Sequence, residues 1–362
     1  MANTIQHKRG TAANWTSADP TLAAGQVGVE TDTGKFKLGD GSTAWSALGY
    51  FEPAAAVAAW SYGGENYGYA MGGTGSPTST ISNSIQKYSF TSDGNGTVSP
   101  ITLHTKVSDG AGSQSSESGY FSGSRGSGTS YALSVVNIQK FPFAEDANGT
   151  DVGDLVTARG SSAGNSSETN GYVSGGFRQD PTPVSYLNQI EKFPFASDAN
   201  ATSVGTLLTT LNYMSGQSSS EYGYVSAGTG PAAPNSNVIQ KFPFAADGNA
   251  ADVGDLTLGR AYVAGGSSST HGYVAGGVPL TNIIEKFSFS ADANATDVGD
   301  LAFVDKELAG ASSTTNGYAT GGAYTPAGTG NTIHKYSFTS DGNATDIGDL
   351  AQRWRFSAGT NN

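Results

Sequence analysis

Acidic side chains recur at a regular spacing in four segments of this chain, and their pattern could hold a metal ion. The segments read DANGTDVGD, DGNAADVGD, DANATDVGD and DGNATDIGD, at residues 146–154, 247–255, 292–300 and 341–349. Oxygen ligands at alternating positions suit calcium, which gathers several carboxylates and carbonyls around one ion. These segments are therefore the first candidates for chemistry.

A fifth segment favours a different interpretation of the same pattern. Residues 198–206 keep Asp198 and Asn200 but carry Ser203 and Thr206 where the other copies have acids, within the same length. Asx turns fix the length of a loop without any metal. We therefore predict structural turns with no metal site, and we keep calcium binding as the alternative.

Other residue types that support catalysis are sparse. Asp32-Thr33-Gly34 matches the triplet of aspartic proteases, which need two such aspartates, but the triplet occurs once and also suits a tight turn. The chain has no cysteine, so thiolate chemistry and disulfides are excluded. The four histidines are scattered (His7, His104, His271 and His334). The residues predict no cofactor and no histidine-dependent site.

The elements that would position any site come from an internal repeat, which three anchors define six times. The anchors are Gly-Tyr pairs starting at Gly68, Gly119, Gly171, Gly223, Gly272 and Gly317; lysines at Lys87, Lys140, Lys192, Lys241, Lys286 and Lys335; and leucines at Leu103, Leu155, Leu207, Leu256, Leu301 and Leu350. Successive Gly-Tyr pairs are 45 to 52 residues apart.

Each repeat is expected to contain four short strands, because alternating apolar or β-branched stretches are separated by Gly, Ser, Asn and Asp clusters. No long helical period occurs, so helices should be nearly absent beyond residue 60. Four antiparallel strands in a unit of this length are typical of a propeller blade, and Gly-Gly doublets in four copies resemble kelch repeats. The predicted fold is all-β, with a small N-terminal β module and a six-bladed kelch-like β-propeller.

The spacing also predicts how the propeller closes. Each anchor leucine is followed at +8 and +9 by a small residue and Gly, which mark the first strand of the next repeat, and Leu350 is followed by Ala358-Gly359. The first strand of the first blade should therefore come from the C-terminus, around residues 355–359, and pair with residues 68–73. Within the blades, we interpret the repeat lysines as exposed strand residues, for which a structural pairing is available with the aspartates before the anchor leucines: Asp154, Asp255, Asp300 and Asp349.

Variation between the repeats is concentrated in one loop, between the second and third strands. The distance from Gly-Tyr to lysine is 19, 21, 21, 18, 14 and 18 residues, whereas the other distances are nearly constant. Variable loops on a rigid scaffold commonly carry recognition, although unconstrained drift is the alternative. The predicted receptor-binding residues are Arg125, Tyr131, Phe177, Arg178, Tyr186 and Tyr324. Asp180 is the only carboxylate in these loops, so we predict no enzymatic activity.

Charge restricts the partners. The formal net charge is −12, from 18 basic and 30 acidic residues, and the first 50 residues are formally neutral. Nucleic acid and anionic membranes require clustered Lys and Arg, so neither is expected as a partner. No apolar stretch approaches the ~20 residues of a membrane-spanning helix, so no membrane insertion is expected.

The first 50 residues are different in kind from the repeats. The segment IQHKRGTAANW, then LAAGQVGVETDTGKFKLGDG and then Trp45 resemble, in order, the N-terminal module of bacteriophage tail-fibre and major tropism determinant proteins. The resemblance implies a virion protein whose residues 1–50 form a homotrimeric β module that binds other virion proteins. Residues 51–59 would be a linker, and residues 60–362 the propeller.

Three functions are compatible with this organisation. The first is a short fibre or receptor-binding protein that displays the propeller to a host surface glycan or protein. The second is a capsid decoration or head fibre protein, since no fibrous stalk separates the module from the repeats. The third is a glycan-cleaving tailspike, which the single loop carboxylate disfavours.

Overall fold

The computed structural model describes residues 7–51, 63–75, 80–127, 130–179, 184–324 and 328–362, without the side chains of residues 127, 130–133, 324, 328 and 329. It divides into two compact units, Met1–Ala59 and Trp60–Asn362. The predicted linker of residues 51–59 lies outside the described residues except for Phe51. No helix among the described residues is long and apolar enough to cross a membrane.

The N-terminal unit contains three short strands and one helix: β1 (Lys8–Gly10), α1 (Ala12–Ala18), β2 (Val27–Glu30) and β3 (Phe36–Leu38). The sheet order is β1-β2-β3, with β1 parallel to β2 and β2 antiparallel to β3. Trp15 and Trp45 stack with ring centroids 4.2 Å apart over buried Leu22. This aromatic pair is the core of the unit.

The triplet that resembled a protease motif occupies the turn between β2 and β3, as predicted for a hairpin. The Gly34 N–H donates to the Glu30 carbonyl at 2.9 Å, and Gly34 has a φ of 73°. Asp32 Oδ1 accepts from the Ala12 N–H at 2.8 Å, at the start of α1. Its carboxylate thus satisfies a helix N-terminus.

The second unit is nearly all β. Its first two repeats contain β4 (Tyr67–Met71), β5 (Thr74–Gly75), β6 (Ser82–Ser89), β7 (Thr97–Val107), β8 (Ala111–Gln114), β9 (Ser118–Ser127), β10 (Ser130–Pro142) and β11 (Thr150–Asp154). The third contains β12 (Ala163–Ser166), β13 (Asn170–Ser174), β14 (Phe177–Arg178), β15 (Ser185–Tyr186), β16 (Gln189–Pro194) and β17 (Thr202–Thr206). The fourth contains β18 (Ser215–Ser218), β19 (Tyr222–Ser226), β20 (Val238–Pro243) and β21 (Ala251–Asp255).

The remaining elements belong to the fifth and sixth repeats and the C-terminal segment. The fifth repeat contains β22 (Ala264–Ser267), β23 (His271–Ala275), β24 (Ile283–Ser288) and β25 (Thr296–Asp300). The sixth contains β26 (Leu308–Ser312), β27 (Asn316–Gly321), β28 (Ala323–Tyr324), β29 (Gly328–Thr329), β30 (Thr332–Ser337) and β31 (Thr345–Asp349). The chain ends with β32 (Trp354–Arg355) and β33 (Ala358–Asn361).

Repeats three to six each form a four-stranded antiparallel sheet in sequence order: β12-β13-β16-β17, β18-β19-β20-β21, β22-β23-β24-β25 and β26-β27-β30-β31. The first two repeats instead share one eight-stranded sheet, because Val107 at the end of β7 pairs with Ser127 of β9. The variable loop of the second repeat thus continues as a long hairpin of β9 and β10 and reaches the preceding repeat.

The C-terminal strand β33 pairs antiparallel with β4, with Ala358 opposite Met71 and Asn361 opposite Gly68. The first repeat therefore takes its first strand from the end of the chain. β32 likewise pairs with β5.

The first strands of neighbouring repeats approach so closely that only Gly fits between them. A Cβ added to Gly164 would lie 2.1 Å from the Gly112 carbonyl oxygen, and one added to Gly112 would lie 2.1 Å from that of Gly359. The same contact of 1.9–2.6 Å recurs at each remaining step of the cyclic series Gly112, Gly164, Gly216, Gly265, Gly310 and Gly359. The small residues of the predicted first strands thus permit backbone-to-backbone packing.

The pairing that the sequence suggests for the repeat lysines is wrong. Asp154 lies opposite Asn137 in the register of β10 and β11, while Lys140 lies opposite Thr150. Each lysine instead reaches a carboxylate between the third and fourth strands of the next repeat: Lys87–Glu145, Lys140–Asp198, Lys192–Asp247, Lys241–Asp292, Lys286–Asp341 and Lys335–Asp93. The ion pairs therefore join repeats instead of strands within one repeat.

The acid-rich segments have a second structural role. Asn200 Oδ1 accepts from the Asp154 N–H of the preceding repeat at 3.0 Å, and Asn148, Asn249, Asn294, Asn343 and Asn95 make the same contact with their preceding repeats. These contacts explain a constant loop length without a metal. Among the described residues, no three His, Asp or Glu side chains are grouped to hold a metal ion.

The middle residue of each Ile-x-Lys segment is fully buried and polar: Gln86, Gln139, Glu191, Gln240, Glu285 and His334. Glu191 and Glu285 form ion pairs with Arg159 and Arg260, and all four side chains have no exposed surface. These arginines stand four residues after an anchor leucine, in the segment that leads into the next repeat. In the segment that leads into the repeat of Gln240, the same position is occupied by Leu211. Arginine and glutamate therefore occur together, and leucine occurs with glutamine.

Candidate functional site

Six residues, one in each segment that leads into a first strand, have a left-handed backbone conformation. Each stands three positions before the first-strand glycine, and their φ values are 55–61°: Asp109, Ser161, Tyr213, Tyr262, Glu307 and Phe356. Such values are uncommon for residues other than Gly, and bulky side chains pay for them in strain. Because the conformation occurs once before each first strand, it is a regular part of the repeat.

Backbone hydrogen bonds join these residues in a ring. The N–H of Ser161 donates to the Asp109 carbonyl at 2.5 Å, and the N–H of Asp109 donates to the Phe356 carbonyl at 2.8 Å. The other four bonds, at 2.8–3.2 Å, run from Tyr213 to Ser161, Tyr262 to Tyr213, Glu307 to Tyr262 and Phe356 to Glu307. Main-chain atoms of every repeat thus hold the six side chains around one point.

The variable loops lie beside this ring. The N–H at the end of each second strand donates to a carbonyl of the segment that follows the same repeat: Gly73 to Val107, Ser124 to Arg159, Gly176 to Leu211, Gly228 to Arg260, Gly277 to Asp305 and Gly322 to Trp354, at 2.7–3.0 Å. We call the segments before the first strands, together with the loops between second and third strands, the linker surface.

A pocket opens within the linker surface and is lined by all six ring residues. Tyr213 and Tyr262 stack with ring centroids 3.8 Å apart, and Phe356 lies 6.3 Å from each. Ser162 also lines the pocket, and its buried hydroxyl has no hydrogen-bond partner among the described residues. Aromatic faces beside polar groups can hold sugars or protein side chains.

Two carboxylates are part of the same pocket. Burial raises the pKa of Asp109 to about 8 against the opposing effect of the Arg125 guanidinium, so this carboxyl keeps its proton at neutral pH. Glu307 is 8% exposed and lies 3.4 Å from both Arg355 Nη1 and Lys306 Nζ. The pocket therefore pairs a protonated acid with a carboxylate that cations flank.

The structure places the predicted binding residues unevenly. Arg125 Nη1 donates to the Tyr213 hydroxyl at 2.8 Å, and its guanidinium lies 5.2 Å from the Phe177 ring centre. Phe177 is 7% exposed and pairs with Tyr186, which is 40% exposed. Arg125, Phe177 and Tyr186 are thus brought together near Tyr213. The buried Phe177 ring packs under the Arg125 guanidinium, and the Tyr186 side chain is accessible to a ligand.

The other predicted binding residues contribute less to this picture. Arg178 is half-buried beside Phe177 in β14. The side chains of Tyr131 and Tyr324, and the whole of Asp180, lie outside the described residues. Their roles stay predictions.

Carboxylates reach the pocket from outside the variable loops. Asp180 is the single carboxylate in those loops, but the neighbouring segments bring Asp109 and Glu307 into the pocket, so the loop composition does not exclude a hydrolase. Sequence reasoning missed the ring residues because they share a backbone conformation and not a side-chain type. Their constant position before each small-Gly doublet was the signal that could have found them.

We expect Asp109→Asn to stabilise the protein at alkaline pH. The unfolded chain releases the Asp109 proton near pH 4, whereas the native protein retains it to about pH 8, so the free energy of unfolding falls as pH rises through this window. Asparagine has nearly the same shape as aspartic acid, but its side chain has no proton to release. The variant should gain a few kcal/mol relative to wild type between pH 5 and pH 9, at ~1.4 kcal/mol per pKa unit.

Urea unfolding at both pH values measures this gain. The difference between variant and wild type cancels the parallel effect of Asp305, whose pKa burial raises to about 7, and the opposite effect of His334, whose pKa burial lowers to about 4. Asp146→Asn, at an exposed position, is the matched control. An equal difference at pH 5 and pH 9 would contradict the assignment.

The second unit is a repeat-built, nearly all-β structure in which six equivalent residues line one pocket. Residues 5–43 match the family model described as the major tropism determinant N-terminal domain. A protein of Streptococcus pyogenes phage H10403 named hyaluronoglucosaminidase is 45% identical over 49 residues. The aligned part is 14% of this chain and 14% of that protein, so the chain spans about one seventh of the length of this curated relative. The N-terminal module is therefore of the phage tail-fibre type.

Proposed function

We propose that this protein is a short fibre or receptor-binding protein of a bacteriophage virion. In this proposal, residues 1–50 attach it to other virion proteins as a homotrimer, and the repeats form a six-bladed kelch-like propeller that binds a host surface glycan or protein. The match over residues 5–43 supports the attachment role. A capsid decoration or head fibre is the alternative location for the same architecture.

The propeller rests on three cyclic features of the second unit. Four repeats form separate four-stranded sheets, the first-strand glycines contact each other in a closed series, and β33 completes the first repeat. Closure of this kind removes the exposed sheet edges that would otherwise promote aggregation.

The observation that carries the binding function is the ring of six left-handed residues around the pocket. The ring is built from main-chain hydrogen bonds, and Ser161 occupies one of its positions, so the fold itself does not require the two stacked tyrosines at the pocket. The pocket also lies beside the loops that vary most in length between repeats, which is where a rigid scaffold usually carries recognition.

Glycan cleavage is a second candidate function, and one observation favours it. Glycosidases pair a protonated carboxylic acid with a second carboxylate, and Asp109 and Glu307 have these two properties in one pocket. Asp109 would protonate the leaving oxygen, and Glu307 would act as base or nucleophile. The short match to a phage protein named hyaluronoglucosaminidase is compatible with this alternative.

We expect Tyr262→Ser to reduce adsorption of the purified protein to host cells by about tenfold, since loss of a stacked aromatic face costs ~1 kcal/mol or more. Ser161 already occupies the equivalent ring position, so the fold should tolerate the change. Binding to cells of the strain that the phage infects, measured with labelled full-length protein, tests this expectation.

Tyr222→Ser is the matched control, because Tyr222 packs over Lys241 away from the linker surface and Ser118 stands at its equivalent position. Equal adsorption by wild type and Tyr262→Ser would count against the pocket. Release of reducing sugar ends from host polysaccharide, abolished by both Asp109→Asn and Glu307→Gln, would favour cleavage over binding alone.

A further inference from the structure

Charge is distributed unevenly over the second unit. Apart from the repeat lysines, its basic residues lie in the linker surface or in the ends of β7 and β9 that lead into it: Lys106, Arg125, Arg159, Arg178, Arg260, Lys306, Arg353 and Arg355. Arg159 and Arg260 are buried in ion pairs, and the other six are exposed or half-buried. In a protein of net charge −12, the second unit therefore gathers its accessible arginines on one surface.

The acids of the described linker surface are all buried. Asp109, Asp305 and Glu307 are each at most 8% exposed, and burial holds the pKa of Asp109 and Asp305 at about 8 and about 7. Among the described residues, no accessible carboxylate lies in this surface. The exposed acids belong to the first-to-second strand turns, the outer strands and the loops between third and fourth strands.

Arg125 is the clearest unbalanced cation. Its described polar contacts are with neutral groups, the Tyr213 hydroxyl at 2.8 Å and Gln179 Oε1 at 3.4 Å, and no described carboxylate lies within ion-pair distance. Its guanidinium stands over the Phe177 ring, which fixes its plane. A planar guanidinium held in this way is suited to bidentate recognition of a carboxylate.

We propose that the linker surface binds an anionic polysaccharide, with carboxylates of its uronic acid units held by Arg125 and Arg355 and a sugar ring stacked in the pocket on Tyr213 and Tyr262. The inference rests on the proposed function and specifies its ligand class. The Arg355 side chain is 37% exposed, with Nη1 3.4 Å from Glu307 and the guanidinium 5.2 Å from the Phe356 ring centre, so a ligand can reach it. The unpartnered Ser162 hydroxyl in the same pocket supplies a further hydrogen bond to a sugar.

The charge distribution also gives the encounter a direction. An anionic cell surface repels the acid-rich loops and attracts the linker surface, so the protein approaches with its pocket forward. This steering acts over about 10 Å at 0.1 M salt and weakens as salt rises. The overall acidity that excludes nonspecific anionic partners is therefore compatible with one specific anionic ligand.

The test uses the full-length protein and two probes, a polygalacturonate oligosaccharide and the same oligosaccharide with its carboxyl groups reduced to alcohols. We expect the dissociation constant for the acidic probe to be at least about tenfold lower, corresponding to ~1.4 kcal/mol. The double variant Arg125→Gln/Arg355→Gln should remove this preference. Binding of the acidic probe to wild type should weaken between 50 mM and 500 mM NaCl, because salt screens exposed charges.

Lys192→Gln/Lys241→Gln is the matched control, since it removes the same charge from pairs with Asp247 and Asp292 outside the linker surface. Equal affinity for both probes, or equal loss in both double variants, would overturn the inference. If the protein adsorbs to host cells without binding the acidic probe, the ligand class is wrong while the receptor-binding proposal stands. If Tyr262→Ser also adsorbs normally to host cells, both the proposed ligand class and the proposed binding pocket are wrong.

Discussion

A chain that ends at Leu350 is expected to lose several kcal/mol of stability or to aggregate. The deletion removes β33, which pairs with β4 over four residues, and it also removes the contacts of Gly359 with Gly310 and Gly112. The first repeat would then expose an unpaired sheet edge, and such edges template association with other chains. Urea unfolding and size-exclusion chromatography of full-length and truncated protein measure both effects.

A substitution in the full-length chain can disturb the contact between the last and the neighbouring first strands without removing the C-terminal residues. Gly359→Ala places a Cβ 1.9 Å from the Gly310 carbonyl oxygen, whereas an added Cβ at Gly248 meets nothing within 4 Å. Gly359→Ala should therefore destabilise the protein in the same sense as the truncation, and Gly248→Ala should have little effect. An unchanged melting temperature after truncation would show that β33 is dispensable.

Single replacements in the buried Arg159–Glu191 pair should each cost about 3–5 kcal/mol, because each leaves a buried charge without its partner. The double variant Arg159→Leu/Glu191→Gln should recover most of this loss. It reproduces the combination of Leu211 and Gln240 in the next repeat, where Gln240 Oε1 accepts from the Leu208 N–H at 2.7 Å. Glu191 makes the equivalent contact with the Val156 N–H at 2.8 Å.

Chemical unfolding of the two single variants and the double variant forms a complete cycle. A double variant no more stable than the weaker single variant would contradict the expected coupling. The same cycle at Arg260 and Glu285 is an independent replicate within one chain, because that pair has the same burial and position.

Residues that recur in every repeat made most of the strand pattern predictable. The strand beginning near Gly171 and the strand carrying Lys192 fall at β13 and β16, because alternation and turn residues act locally. In the N-terminal unit, the tight turn expected at residues 32–34 joins β2 to β3, where Val27 lies opposite Leu38 and Val29 opposite Phe36. Helix α1 was not predicted, since seven residues carry too little periodicity, although Thr11 marks its N-cap.

Contacts between repeats could not be predicted in the same way. The partner of Lys140 depends on how neighbouring sheets pack. Asp198 belongs to the next repeat, so the pairing of strands within the repeat of Lys140 does not point to it. The pocket residues were missed for a different reason. Tyr213 and Glu307 have no side-chain property in common, and only a shared backbone conformation makes them equivalent.

The ring of main-chain hydrogen bonds around the pocket separates folding from recognition. Asp, Ser, Tyr, Glu and Phe all occupy its six positions, because the bonds use only N–H and carbonyl groups. The main chain therefore does not prescribe which side chain each position carries, except that the left-handed backbone disfavours β-branched residues. Each repeat contributes one side chain to the pocket, so substitutions at these six positions can change the ligand preference during evolution while the scaffold stays the same.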